Sequence, residues 1–134
     1  MHQKPFNLAL VLSIVFMLTY ITLGFSTNMI GLEPGMTIGG LSRWCERVSD
    51  GIFREPVNAL SNLGFMFVGL CMFFVLTKDE KSKNTPSQFH GLTTVAKVYA
   101  GAALFLGPGS MLMHGTHTYW GQWIDNVSMV MYIT

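Results

Sequence analysis

A chain of 134 residues that is 50% apolar and only 11% charged, with ten Met and ten Phe, does not have the composition of a soluble domain. Its formal net charge of +1 gives no basic surface, and no pattern of aromatics interleaved with Lys or Arg appears, which argues against nucleic acid as a partner. Cys45 lies in a polar stretch and Cys71 within an apolar run. No Cys-x-x-Cys or Cys/His cluster accompanies them, so both read as free thiols.

Residues 6–25 carry no charge and would reach about 30 Å as a helix, the thickness of a hydrocarbon core. Residues 1–26 are therefore expected to be an N-terminal anchor helix or a signal segment. The retained anchor fits better, because signal h-regions run to roughly 7–15 residues. Residues 27–56 follow as a polar loop punctuated by Gly31, Pro34, Gly35, Gly39 and Gly40, expected on the non-cytoplasmic side. A second span is predicted over residues 57–76. Lys78, Lys81 and Lys83 then mark a short cytoplasmic loop by the positive-inside rule, against which Arg43, Arg47 and Arg54 pull.

A third span is predicted over residues 94–113, with Lys97 able to snorkel towards the lysine loop. Residues 119–123 read as a short turn of interfacial aromatics. A fourth apolar run starts near Ile124 and is still under way at Thr134. The expected fold is all-α: a polytopic transmembrane helix bundle with three full spans and a truncated fourth. A helix stopping there would leave carbonyls unsatisfied in lipid, so residues 27–134 are expected to be the N-terminal part of a larger membrane domain.

Polar residues cluster where the third and fourth spans meet. Ser110 and His114 are spaced i, i+4 and share a helix face, and His117 follows one turn on. Gly107, Gly109 and Gly115 permit close helix packing around them. Asp125 opens the next, antiparallel helix near the depth of His114. Ionisable groups at membrane depth are expensive and default to a functional reading. Imidazole suits zinc, a carboxylate can move protons, and a serine hydroxyl can donate to an oxyanion. A Ser-His-Asp nucleophilic triad fits less well, because Ser110 lacks the Gly-x-Ser-x-Gly elbow. Taken singly, each residue has a bland account: His114 and His117 as packing or interfacial groups, Asp125 as an N-cap, and Ser110 bonded within its helix. Their joint occurrence is what favours chemistry.

A second group comprises Glu46, Asp50 and Glu55 with nearby backbone carbonyls. These are the oxygen ligands calcium prefers, but spacing alone favours a solvated salt-bridge network with Arg43, Arg47 and Arg54.

The order Trp44-Cys45-Glu46, then Glu55-Pro56-Val57-Asn58-Ala59-Leu60-Ser61-Asn62, then Gly107-Pro108-Gly109-Ser110 with His114 and Asp125, resembles the alkaline ceramidases over about residues 42–134. They belong to a superfamily of seven-helix membrane hydrolases that includes the adiponectin-type receptors. The resemblance implies a zinc-dependent amidohydrolase acting on linear amides, splitting a ceramide-like membrane lipid into sphingoid base and fatty acid. It implies His114 as a zinc ligand, Ser110 steadying the oxyanion and Asp125 handling protons. It also implies Ca2+ held by Glu46, Glu55 and the carbonyl of Trp44. The chain departs from the family at Arg43 and Val48, where an acidic residue and an Asn are usual. It also lacks the His-x-x-x-His that supplies the other two zinc ligands, so these residues alone are expected to be inactive. A non-catalytic receptor on the same scaffold and a hydrolase of another lipid are the alternatives.

Overall fold

A computed structural model of the chain describes residues 4–26, 46–49, 51–79 and 91–134, and among these every regular element is a helix. Helix α1 spans Lys4–Ser26, α2 Pro56–Ser61, α3 Leu63–Asp79, α4 Thr94–Thr116 and α5 Tyr119–Ile133. Three stretches are long and apolar enough to cross a membrane: Lys4–Ser26, Pro56–Asp79 (α2 and α3 together) and Thr94–Thr116. The all-α membrane bundle expected from the sequence is the architecture observed, and the span boundaries agree to within a turn. Lys81, Lys83, Cys45, His2 and His90 lie outside the described residues.

Local chemistry sets the helix ends. Pro56 takes the first position of α2, where its missing N–H costs nothing. The Thr93 hydroxyl accepts from the Ala96 amide to open α4, and the Thr118 hydroxyl accepts from Gly121 to open α5. That second cap corrects the sequence expectation for residues 119–123. Residues Tyr119 to Trp123 are the first turn of α5 rather than an interfacial turn, so α5 begins before Ile124. Asp125 accordingly sits inside the helix and is not its cap. Pro108 stands within α4 without ending it.

Two hydroxyls within the spans find partners in their own helix, as lipid demands. Ser13 donates to the Ala9 carbonyl at 2.9 Å and Thr77 to Phe73 at 2.7 Å. α4 is the hub, packing against α3 on one side and α5 on the other. Small residues allow both approaches. A side chain at Gly107 would run into Met66 and the Asn62 carbonyl of the α2–α3 arm, and one at Gly109 would run into Ser128 of α5. The core lies in two clusters. One joins Ala9, Phe73, Leu76, Ala96 and Ala100. The other joins Tyr20, Ala59 and Met111 at the opposite end of the bundle, beneath the polar residues.

Candidate active site

The last carbonyls of an α-helix have no partner within it. At the end of α4 they are taken by the segment before α2: Arg54 donates its amide to the Gly115 carbonyl at 2.9 Å, and Glu55 donates to that of His114 at 3.0 Å. The segment is braced internally, with the Ser49 amide bonded to the Arg54 carbonyl at 2.7 Å and the Ser49 hydroxyl to Phe53 at 2.7 Å. This strap delivers the Glu55 side chain, which is 0% exposed, against the imidazole of His114.

Nδ1 of His114 lies 2.6 Å from Oε2 of Glu55. A carboxylate accepts, so Nδ1 carries the proton, and the other ring nitrogen, Nε2, is left facing away from Glu55. The Asn58 side chain donates from Nδ2 to the same Oε2 at 3.1 Å. His117 approaches from the other side, its Nε2 at 3.3 Å from Oε1, an electrostatic contact without the alignment of a good hydrogen bond. Burial pushes the His117 imidazole below its ordinary range. Arg54 and His114 act in the same direction, and the Glu55 carboxylate only partly offsets them.

His117 was expected on the helix face one turn beyond His114, or at the membrane interface. Instead it caps α4 in the left-handed region, with φ of 53°, and is buried. A non-glycine residue there costs on the order of 1 kcal/mol or more. The cap turns the ring back under α4 onto Glu55. His117 thus joins the cluster through Glu55 rather than by a shared helix face, and Asn58 is a member that sequence reasoning did not assign.

Across the α4–α5 contact, the Ser110 hydroxyl interacts with the Asp125 carboxylate, and Asp125 also lies within electrostatic reach of His114. Oδ1 of Asp125 is buried with no hydrogen-bond partner. Ser110, His114 and Asp125 therefore come together, as the antiparallel turn predicts, and Glu55 joins them from a distant part of the chain.

The fit to metals differs between the two groups. His114 has the arrangement a metal-bound histidine takes, one nitrogen held by a buried carboxylate and the other directed elsewhere. It fits one position of a ligand set. The described residues contain no group of three or more His, Cys, Asp or Glu placed to hold a metal ion. Of the calcium residues, Trp44 lies outside the described residues. Glu46 uses its two oxygens to accept from the Val57 and Asn58 amides, each at 2.7 Å, capping α2, and Glu55 is enclosed by its partners. Among the described residues, both carboxylates are thus engaged with protein donors.

No curated protein and no solved structure matches the chain. The family model described as Ceramidase matches residues 41–134, which contain Glu46, Glu55, Ser110, His114 and Asp125 but not α1. The chain belongs to the Ceramidase family.

Proposed function

We propose that this chain carries part of the active site of a membrane-embedded, zinc-dependent hydrolase that cleaves the amide C–N bond of ceramide-type lipids. The observation that carries the reading is His114, held through Nδ1 by a fully buried glutamate while Ser110 and Asp125 meet beside it across α4 and α5. His114 would hold zinc through Nε2, and zinc bound there would polarise the amide carbonyl and make its water acidic. Ser110 donates its hydroxyl to the oxygen that becomes negative as water adds to the carbonyl carbon. Asp125 accepts the proton lost by that water and returns it to the departing nitrogen, giving a free amine and a carboxylic acid. The unpartnered Oδ1 is an atom with the capacity to do this.

The test is release of fatty acid from a labelled ceramide by membranes containing the natural gene product, with zinc and after chelation. Activity should depend on zinc. His114→Ala should abolish it without loss of membrane insertion, and Ser110→Ala should lower it by about 10²–10³-fold. Wild-type turnover in the His114→Ala protein would sink the zinc role. Among the described residues His114 is the histidine held in this way, and ceramide hydrolysis by residues 1–134 alone would overturn the need for ligands beyond them.

A further inference from the structure

Helix α1 lies outside the matched residues 41–134, yet it reaches the strap that carries Glu55. Most of its surface is apolar and outward-facing, and the residues it buries are Ala9, Ser13, Tyr20 and Gly24. Tyr20 is 2% exposed. Its hydroxyl donates to the Ile52 carbonyl at 3.0 Å, and its ring stacks on Phe53 with centroids 5.1 Å apart and planes 10° from parallel. One turn further, a side chain at Gly24 would touch Ile52 at 3.3 Å. Gly115 of α4 lacks a side chain where the tyrosine ring end arrives, and a Cβ there would overlap the Tyr20 hydroxyl.

The contacts form an unbroken series. α1 grips residues 52 and 53, residues 54 and 55 bond to the carbonyls of Gly115 and His114, and the Glu55 side chain holds the His114 ring. The strap has no helix or strand of its own, so its placement depends on what is packed against it. α4 holds one side and Tyr20 holds the other.

We infer that α1 is a built-in clamp on the active site and that Tyr20 is a positioning residue, fixing Glu55 and through it the ring orientation of His114. The inference rests on the reading of His114 as the site's working imidazole. The hydroxyl matters beyond packing because it is the bond that ties the part-buried Ile52 carbonyl of the strap to α1, and the loosened strap would let the His114 ring exchange tautomers.

The experiment uses residues 1–134 with ¹⁵N-labelled histidine in lipid nanodiscs, at a pH well above the ordinary imidazole range. Histidine signals are assigned by single His→Gln substitutions. Wild-type His114 should show one tautomer with the proton on Nδ1. Tyr20→Phe, which keeps the ring, should convert it to a mixture of tautomers and speed hydrogen exchange of the Arg54 and Glu55 amides about tenfold, with helix content unchanged. Gly24→Ala leaves the tyrosine intact and pushes on Ile52, so it should shift both readouts in the same direction by less. Leu18→Ala, on the outward face of α1, should change neither. Retention of the Nδ1 tautomer and of wild-type exchange rates in both Tyr20→Phe and Gly24→Ala overturns the clamp alone. A wild-type chain without the Nδ1-protonated form overturns the orientation of His114 in the proposed function as well.

Discussion

With its side chain fully enclosed, Glu55 must satisfy its carboxylate from protein donors, and it does so with Asn58 and His114 at one oxygen and His117 near the other. Removing it leaves the Nδ1–H of His114 and the Asn58 amide without their acceptor. Glu55→Ala should therefore destabilise the bundle by about 1–3 kcal/mol, the cost of stranding a buried donor. Glu55→Gln, which retains one acceptor oxygen, should cost less. Unfolding in SDS followed by circular dichroism measures both, and equal stabilities for wild type and Glu55→Ala would show that the carboxylate is dispensable. The residues readable from sequence were those related by local geometry. Ser110 and His114 share a face by helical spacing, and Asp125 meets them because one short turn fixes the next helix antiparallel. The pairing of Glu55 with His114 joins positions 59 residues apart and leaves no spacing signal. The burial of His117 depends on a left-handed cap, and a periodicity argument assumes the helix continues.

At the scale of helices, hydropathy alone located the spans, because a stretch that is apolar all round has few other places to go. The start of α5 was missed because Tyr119, Trp120 and Trp123 have the composition of an interfacial belt, whereas Thr118 decides the matter by capping. Two glycines on α4 separate local propensity from packing. Gly101 has open space where a side chain would go, so Gly101→Ala should stabilise the helix by about 0.5–1 kcal/mol. Gly109 meets Ser128 and the Ile124 carbonyl, so Gly109→Ala must push α5 away and should cost about 1–3 kcal/mol. The same displacement draws Asp125 from Ser110, so the hydrolysis proposed for this site should fall with Gly109→Ala and hold with Gly101→Ala. The same SDS unfolding curves check the stabilities, and a loss for Gly101→Ala matching that for Gly109→Ala would show that the close approach is not what limits substitution.

Across the whole molecule, the contacts decide which ends of the helices lie together. The start of α2, the end of α4 and the first turns of α5 share the site, because Glu55, His114 and Asp125 meet there. Phe6 near the start of α1 meets Phe74 near the end of α3 at 5.7 Å, and Lys78 lies over Phe74 at 4.4 Å, which gathers Lys4 and Lys78 at the opposite end. Geometry pairs the ends, and charge chooses the side. Lysines favour the cytoplasmic face, which would set Glu55, His114 and Asp125 at the non-cytoplasmic face. Arg47 and Arg54 near the site weigh the other way, so the orientation is open to direct measurement. In a protein with Cys45 and Cys71 replaced by Ser, a cysteine at exposed Gly51 should react with a membrane-impermeant maleimide in intact cells. One at Asp79 should react only after permeabilisation. The reverse labelling would invert the topology while leaving the site intact, since the contacts among Glu55, His114 and Asp125 do not depend on which compartment they face.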